Sequence, residues 1–352
     1  MTMASKTIIL PGQLISPSVA NSRSSILVIA LWSVCLLTTF VVILGYAVRQ
    51  KIMLAYRLDE REKLSLIAEA GIKKGMAQIQ KEEIKAYDVL KDTWSNNQGE
   101  FREVDVGDGK FSIGYNYINE LSGALETRYG LIDEERKINI NKIDMAVLKR
   151  LFQIVLGFDE IKAQELTASI IDWRDTDSEL YIPEGSAEDS YYRDLQYPYE
   201  AKDKEFEVLE ELLLVKGVTE GIFAQIRGYI TIYGSGKINI NTASDPVLLA
   251  LGLTEATVDK ILSFRCGEDK VSGTADDNVF EDTSSIVPKL GQSYHLSEPE
   301  KAQITMVAER YLVTNSNNFM VISTAHLNGK KNSCQIFSVV DRTGKVLSWQ
   351  QI

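Results

Sequence analysis

The segment SILVIALWSVCLLTTFVVILGYAV, residues 25–48, carries no charged side chain. Its 24 residues would form a helix about 36 Å long, enough to cross a hydrocarbon core of about 30 Å. A buried core helix would show a polar stripe, which this segment lacks. A cleavable signal peptide is the better alternative, because Gly45-Tyr46-Ala47 resembles a cleavage site. The apolar region of a signal peptide spans only about 7–15 residues, however, so this segment is too long. The segment therefore predicts one transmembrane helix.

The helical pattern continues beyond the apolar segment without a proline. Apolar and small residues recur at i, i+3, i+4 and i+7 spacing. They are Leu64, Ile67, Ala68, Gly71, Ile72, Gly75, Met76 and Ile79. Two glycines on this stripe cost a helix about 1 kcal/mol each relative to alanine, which predicts the close approach of another backbone. We expect the helix to end between Tyr87 and Trp94.

Alternating runs predict β-structure on both sides of a helical stretch. The first runs are Lys110–Asn119, Thr127–Ile132 and Lys137–Asn141. The last runs are Phe319–His326, Ser333–Asp341 and Val346–Gln350, with turns at Asn328-Gly329 and Thr343-Gly344 between them. The predicted order is a long helix, strands, a helical insert and a closing β-meander, which is an α+β architecture.

The helical stretch contains an internal repeat. The pentapeptide KININ occurs at residues 137–141 and again at 237–241, an offset of 100 residues. Each copy continues into an apolar run, then a glycine (Gly157 or Gly252), then a segment that begins with acidic residues. Each repeat therefore predicts a strand, an asparagine-capped helix, a tight turn and a second helix. A further hairpin is expected across residues 208–232.

Charge separates the first 50 residues from the rest. Residues 1–50 contain three basic residues and no acid, whereas the other 302 hold 35 basic and 49 acidic residues, a net charge of −14. Such a body repels nucleic acid and anionic lipid. Of the three cysteines, Cys35 lies in the apolar segment, while Cys266 and Cys334 lie in the body. These two could form a disulfide in an oxidising compartment or remain free thiols.

Several of these features, in this order, resemble one family. The apolar segment preceded by arginine, the two ININ repeats, the stretches DWRDTD (172–177) and GSAEDSYY (185–192) and the closing meander are similar to general secretion pathway protein K. That family is the largest minor pseudopilin of type II secretion systems, and the resemblance covers about residues 23–350. It implies a pilin-like fold, in which a long N-terminal helix lies on an antiparallel sheet and a large α-helical domain is inserted in the sheet.

The resemblance also implies a domain order and a topology. The expected segments are a prepilin-type leader (1–24), a transmembrane helix (25–48), an amphipathic helix with the first strands (49–141), the inserted helical domain (142–312) and the C-terminal β-meander (313–352). The N-terminus would lie in the cytoplasm, with one pass through the inner membrane and the body in the periplasm.

Two positions near the leader depart from the family's pattern. Leaders of this family usually end in glycine, whereas Ser24 stands at that place, so we expect cleavage between Ser24 and Ser25 without the usual residue. Most pilin-like subunits carry a glutamate as the fifth residue of the mature helix. Counted from Ser25 that residue is Ile29, which suits a subunit at the tip, with no subunit ahead of it.

A first acidic cluster follows the second helix of the first repeat. Close carboxylates repel one another unless a cation neutralises them, and Ca²⁺ takes six to eight oxygen ligands from loops of this kind. A solvated acidic loop is the alternative, but the resemblance favours metal, because the family binds Ca²⁺ in its α-domain. The expected ligands are Asp172, Asp175, Asp177, Glu184, Glu188 and Asp189.

A second acidic cluster lies between residues 267 and 282. Asp269, Asp276, Asp277 and Asn278 are its candidate ligands, and Gly267 and Gly273 permit a tightly turned backbone. The spacing is not that of an EF-hand, and a flexible acidic loop is the alternative. The sequence therefore predicts one or two calcium ions in the body.

Catalysis finds little support. The chain has no GxSxG, HExxH or P-loop motif, so we expect no catalytic residue and no small-molecule substrate. The alternative from another class is a membrane-anchored helix-hairpin-helix protein that binds or takes up DNA. Its hairpin turns would place acids where a phosphate should lie, and no nucleic-acid partner is expected. The preferred prediction is a minor pseudopilin that, with other minor pseudopilins and the secretion assembly platform, initiates and caps the pseudopilus tip. The amphipathic half of its long helix would then pack among sister helices.

Overall fold

The computed structural model describes residues 22–81, 86–183 and 185–352. Its helices are α1 (Ser22–Lys81), α2 (Gln98–Phe101), α3 (Met145–Leu156), α4 (Glu160–Arg174), α5 (Asp189–Arg193), α6 (Glu220–Ile226), α7 (Asp245–Ala250), α8 (Glu255–Arg265), α9 (Ile286–Ser293) and α10 (Glu298–Tyr311). Its strands are β1 (Val104–Val106), β2 (Gly109–Ile113), β3 (Tyr115–Ile118), β4 (Leu125–Arg128), β5 (Ile132–Asp133), β6 (Ile138–Asn139), β7 (Ile230–Thr231), β8 (Ile238–Asn239), β9 (Leu312–Val313), β10 (Asn318–Leu327), β11 (Ser333–Asp341) and β12 (Val346–Gln351).

Contacts within the chain separate two units, Met1–Glu60 and Arg61–Ile352. In the first unit, every side chain from Ser25 to Asp59 is exposed, although most of those up to Val48 are apolar. An 18-residue window of α1 has a mean hydropathy of 2.8 and no buried residue. Among the described helices, α1 alone is long and apolar enough to cross a membrane, and the predicted transmembrane segment lies within it.

The predicted leader falls almost entirely outside the described residues, which begin at Ser22. Ser24 and Ser25 lie in the first turn of α1, and cleavage between them stays a prediction. Ile29 lies one turn further on and is exposed.

In the second unit, the remaining turns of α1 pack on an antiparallel sheet. The sheet has the order β1-β2-β10-β11-β12, and β5 pairs with the first residues of β10. The predicted apolar stripe of α1 and the inward-facing residues of the strands form one core. Repetition every 3.6 residues places the stripe on one face of the helix, and repetition every two residues places the strand residues on one face of the sheet. This core contains Leu64, Ile67, Ala68, Ile72, Ile79, Trp94, Phe111, Ile113, Phe319, Val321, Ala325, Ile336 and Val340. The predicted β-meander is confirmed within one residue at its ends.

The two stripe glycines lie against the chain's own sheet. A Cβ atom built on Gly71 would overlap Ser323 on β10, and one built on Gly75 would lie 2.9 Å from Cγ1 of Val321. A close approach at these glycines is therefore present, but the nearest atoms belong to side chains of the chain's own sheet and not to another backbone. The expectation that this part of the stripe packs among sister helices is wrong, because its apolar residues Leu64, Ile67, Ala68, Ile72 and Ile79 are already buried on the sheet.

The run Lys110–Asn119 is not one strand. It breaks at Gly114, where β2 ends and β3 begins, and a Cβ atom at this glycine would lie 3.0 Å from the carbonyl oxygen of Arg128. The residues before the break belong to the main sheet. Those after it form a separate hairpin with β4, so the predicted strand Thr127–Ile132 is also divided, between β4 and β5.

Two short strand pairs lie with the helical insert. β6, expected among the first strands of the sheet, pairs in parallel with β7, and β8 pairs in parallel with β9. Residues of all four strands belong to the same apolar core as the helices of the insert. Local sequence could not show this, because these strands pair with residues about 75 to 90 positions away. The boundaries expected at 141/142 and 312/313 stay predictions.

The internal repeat is confirmed in three dimensions. α3 and α4 follow the first ININ and are joined at Gly157, which adopts a positive φ of 65°. α7 and α8 follow the second ININ and are joined through Gly252, with a φ of 97°. Arg150 of the first repeat donates a hydrogen bond from Nε to the carbonyl oxygen of Ala250 in the second, at 2.7 Å. Apolar side chains of both repeats form one continuous core.

Candidate metal centre

The first acidic loop leaves the end of α4 and returns to the first repeat at Phe206. Asn141 holds that return point, because its Nδ2 donates to the carbonyl oxygen of Phe206 at 3.0 Å and its Oδ1 accepts from the amide of Phe206 at 2.9 Å. At the start of the loop, Asp172 is fully buried and accepts hydrogen bonds from the amide of Tyr181. The loop is thus fixed at both ends by side chains of the repeat.

Three carboxylates of this loop converge. Asp175, Asp177 and Glu188 each offer one oxygen, and these oxygens lie within 4.8 Å of one another. Two oxygens bound to one Ca²⁺ at 2.3–2.6 Å can be separated by at most about 5 Å, so the three could share one ion. Among the residues that the structure describes, no other three His, Cys, Asp or Glu side chains meet in this way.

Two carboxylate oxygens of this cluster lack a hydrogen-bond donor. Oδ1 of Asp175 and Oε1 of Glu188 are buried and accept no hydrogen bond from the described residues. A buried acceptor without a donor costs about 1–3 kcal/mol, and more when it is charged. An all-oxygen set with unused buried acceptors suits a hard cation such as Ca²⁺.

The electrostatics of the cluster are those of crowded carboxylates. Burial, followed by repulsion from Asp177 and Asp172, raises the pKa of Asp175 to about 6. Burial, with repulsion from Asp172, Asp175 and Asp203, raises the pKa of Glu188 to about 7. A bound cation would reverse both effects, because it stabilises the charged form of each group.

Asp203 is a residue of this site that the sequence did not reveal. It lies in the part of the loop that returns towards Phe206, and its amide donates to the carbonyl oxygen of Trp173 at 3.1 Å. Its charge raises the pKa of Asp175 and Glu188. Asp203 also adopts a positive φ of 53°. No spacing rule links it to residues 172–189, so the signal was absent from local sequence.

The other predicted residues of the first cluster have different positions. Asp189 lies at the start of α5, where its Oδ2 pairs with Arg193 at 2.7 Å and its Oδ1 accepts from the amide of Ala201 at 2.9 Å. It is therefore already neutralised, outside the converging three. Asp172 lies beside the cluster, with its carboxylate bonded to the loop backbone. Glu184 lies outside the described residues.

The second acidic loop uses its carboxylates to hold its own backbone. Asp276 accepts from the amides of Glu268 and Asp269 and from the hydroxyl of Thr274, and these bonds lower its pKa to about 2. Asp277 accepts from the amide of Gly273 at 2.6 Å.

The other two predicted ligands also bond to nearby backbone. Asp269 accepts from the amide of Val271 at 2.7 Å, and Asn278 donates to the carbonyl oxygen of Phe264 at 3.0 Å. Asp269, Asp276, Asp277 and Asn278 thus turn the loop, and their carboxylates do not converge as those of the first loop do. A second ion here stays a prediction.

The two acidic loops occupy equivalent places in the two repeats. Asn241 bonds reciprocally to Phe280, with both distances 2.9 Å, as Asn141 does to Phe206. Each loop therefore follows the second helix of its repeat and returns to the last asparagine of its ININ. We call these two contacts the asparagine clamps. They explain why ININ recurs: its final asparagine closes the loop that follows.

The architecture identifies the class of protein. A single apolar helix that continues into a helix-on-sheet unit with a helical insert is a pilin-like fold with a candidate membrane anchor. The chain resembles a chain in "The Crystal Structure of the GspK-GspI-GspJ complex from enterotoxigenic Escherichia coli Type 2 Secretion System", with a TM-score of 0.60 over 86% of this chain and 99% of that one. The sequences are 19% identical, so this likeness concerns the fold.

Sequence comparisons show which family the chain is similar to. Residues 118–235 match the family model described as type II secretion system (T2SS), protein K. Type II secretion system protein K of Aeromonas hydrophila is 32% identical over 147 residues, 40% of this chain and 43% of the relative. The protein of the same description from Pectobacterium carotovorum subsp. carotovorum is 27% identical over 187 residues, 52% and 56% of the two chains. The chain spans about half the length of these relatives, and its similarity to type II secretion system protein K agrees with the resemblance found in the sequence.

Proposed function

We propose that this chain is a minor pseudopilin of a type II secretion system, anchored by α1 in the inner membrane with its body in the periplasm. The observation that carries the proposal is the combination of a candidate membrane helix with a pilin-like sheet that contains an inserted helical part. Since the structural relative is described in a complex with GspI and GspJ, we propose that the partners here are also minor pseudopilins and the assembly platform.

A secretion assay tests this role. In the organism that produces the chain, deletion of its gene should leave the type II substrates inside the cells, and the intact gene should restore them to the medium. Protease added to spheroplasts should cleave the body and spare the N-terminus. A deletion strain that secretes normally, or a body protected from external protease, would contradict the proposal.

The repeat does not favour the DNA-binding alternative. A helix-hairpin-helix module offers backbone amides at its turn to a phosphate. In the first repeat, Asp159 caps α4 and accepts from the amide of Lys162 at 2.9 Å, so a carboxylate occupies the amide that a phosphate would need. In the second repeat, Thr254 accepts from the amide of Thr257 at 3.3 Å. These caps support the secretion role over a nucleic-acid role.

We further propose that the first acidic loop binds one Ca²⁺ through Asp175, Asp177 and Glu188, with Asp172 and Asp203 beside them. The unused buried acceptors on two of these carboxylates support the site. The ion would order the loop between α4 and Phe206 by neutralising three crowded charges, and so stabilise the helical insert.

Thermal melting with and without a chelator tests the calcium site. Millimolar Ca²⁺ should raise the melting temperature of the full chain in detergent, because a ligand bound to the folded state adds RT ln(1 + [L]/Kd) to the free energy of unfolding. At free calcium 100-fold above Kd that gain is about 2.7 kcal/mol. Asp175→Asn with Glu188→Gln should abolish the response. Asp194→Asn, which removes an acid of the same loop outside the cluster, should retain it. Equal melting curves with Ca²⁺ and with EDTA would contradict the site.

A further inference from the structure

The helical insert is joined to the sheet by two crossings of the chain. The chain enters the insert after β5 and leaves it between β9 and β10. Asp133 and Glu135 lie on the entering crossing, and Ser316 and Asn318 lie on the leaving one. All four are buried. We call this region the joint, and it also includes Asp88, from the segment that follows α1.

Asp133 lies at the centre of the joint. Its Oδ2 accepts hydrogen bonds from Ser316 Oγ at 2.7 Å, Thr242 Oγ1 at 2.5 Å and Asn239 Nδ2 at 3.2 Å. Its Oδ1 accepts from the amide of Glu135 at 2.8 Å. One carboxylate therefore binds both crossings and the second ININ.

Two further carboxylates reinforce the same contact. Glu135 accepts from Asn318 twice, from its amide at 3.0 Å and from its Nδ2 at 2.7 Å. Asp88 accepts from the amide of Ser316 at 2.7 Å and from Nη2 of Arg342 at 2.5 Å. Arg342 also donates to the carbonyl oxygen of Ser316 at 2.9 Å.

Acids outnumber bases in the joint. Among the described residues, the acidic ones that face it are Asp88, Asp92, Asp133, Glu134 and Glu135, and the basic ones are Arg136, Lys137 and Arg342. Arg136 pairs with Glu120 at 3.3 Å. Lys137 is occupied by Glu134 at 2.5 Å, and Arg342 by Asp88 at 2.5 Å. Amides and hydroxyls, rather than a cation, are thus the bonded partners of the Asp133 and Glu135 carboxylates.

Simultaneous ionisation of the Asp133 and Glu135 carboxyl groups is unfavourable. Burial, followed by the charge of Asp133, raises the pKa of Glu135 to about 8. Burial also raises the pKa of Asp133 to about 6, despite its hydrogen bonds from Thr242 and Ser316. The two groups interact, so the joint as a whole retains a proton near neutral pH.

We propose that the joint is a proton-dependent clamp between the sheet and the helical insert, closed when one of the two carboxyl groups of Asp133 and Glu135 is protonated and loosened when both are charged. The proposal does not depend on the secretion role. It follows from two buried carboxylates, on one crossing, that hold the other crossing through Ser316 and Asn318.

The raised pKa values of Asp133 and Glu135 decide whether the clamp closes at low or at high pH. A raised pKa in the folded state means that folding retains a proton that the unfolded chain releases above about pH 4.5. Closing of the clamp is therefore favoured at low pH and is lost progressively as the pH rises towards about 8. One retained proton changes the opening equilibrium tenfold for each pH unit in that window.

Hydrogen exchange of the full chain in detergent tests the clamp. Protection factors corrected for the intrinsic pH dependence should fall at least tenfold between pH 6.5 and pH 9 for the amides of Ser316 and Asn318. Amides in the middle of β11 should change little. Equal changes at both places would overturn the proposal.

Glu135→Gln supplies the matched variant. The Asn318 amide can rotate so that its oxygen accepts from the new glutamine, which keeps the contact without the charge. Protection in the joint should then vary less than threefold over the same pH range. Glu211→Gln, which removes a partly buried acid that pairs with Lys202 elsewhere in the insert, should retain the tenfold fall.

A full fall in Glu135→Gln would overturn the proposal. If this variant does not fold, the wild type decides alone. The urea concentration at the midpoint of its unfolding should decrease continuously from pH 6 to pH 8. A midpoint that does not change with pH would overturn the proposal.

Discussion

Replacement of Gly71 by alanine tests how α1 is seated on the sheet. The added Cβ would overlap Ser323 and lie 2.9 Å from Cδ2 of Phe111, in a core where overpacking typically costs about 1–3 kcal/mol. Alanine also favours the helix by about 1 kcal/mol relative to glycine. The expected net result is a loss of about 0–2 kcal/mol in the free energy of unfolding.

Ser323 makes the prediction sharper, because its buried hydroxyl has no hydrogen-bond partner among the described residues. Ser323→Ala removes that unsatisfied group, which costs about 1–3 kcal/mol when buried, and should raise stability. It also removes the atom nearest to the new Cβ. Gly71→Ala should therefore be far better tolerated in the Ser323→Ala background, with a coupling free energy of at least about 1 kcal/mol.

Urea unfolding of the four proteins measures this cycle. Tryptophan fluorescence is a suitable signal, since Trp94 is fully buried in the same core against Phe319. Gly291→Ala, in α9 with open space around the added Cβ, is the matched control and should gain about 1 kcal/mol. If Gly71→Ala gains as much as the control, or if the coupling is zero, the packing described here is wrong.

Two further predictions concern the insert. Asn241→Ala should lower the free energy of unfolding by about 2–4 kcal/mol in a urea titration, because it breaks two buried hydrogen bonds to Phe280 and leaves their partners unsatisfied. Asn141→Ala should cost less, because its hydrogen bonds to Phe206 are only partly buried. Equal stability of Asn241→Ala and the wild type would refute the role of the asparagine clamps. Burial raises the pKa of Cys266 to about 11, so this free thiol should react with a thiol reagent at pH 8 only after urea is added, whereas fast reaction in the folded protein would show that the end of α8 is open.

Local sequence predicted the elements whose contacts are local. The β-meander follows from alternation and two glycine turns, and the paired helices follow from the repeat of ININ. It could not predict that β6 and β8 lie with the insert, because each consists of two residues that pair with a distant strand. It also predicted a close contact at the glycine stripe but assigned it to another backbone, whereas side chains of the same chain's sheet lie there, because a stripe does not distinguish a strand of the same chain from a helix of another.

The candidate site shows the same division. Composition indicated an acidic loop, and Asp175, Asp177 and Glu188 do converge. The sequence could not show that Asp189 would pair with Arg193, because that depends on where α5 begins. It could not show Asp203 at all, since the loop brings it back from outside the acidic cluster. In the second loop, carboxylates at a similar density bond to backbone amides, and composition does not distinguish the two outcomes.

The proposal that this chain is a minor pseudopilin, at the tip position that the sequence predicts, is tested most directly by locating the chain in the fibre. Pseudopili sheared from cells that carry a cross-linkable, tagged copy of the chain can be labelled with gold and viewed by electron microscopy. We expect label at one end of each fibre, in a cross-linked complex with other minor pseudopilins. Label distributed along the shaft, or fibres without any label, would contradict it.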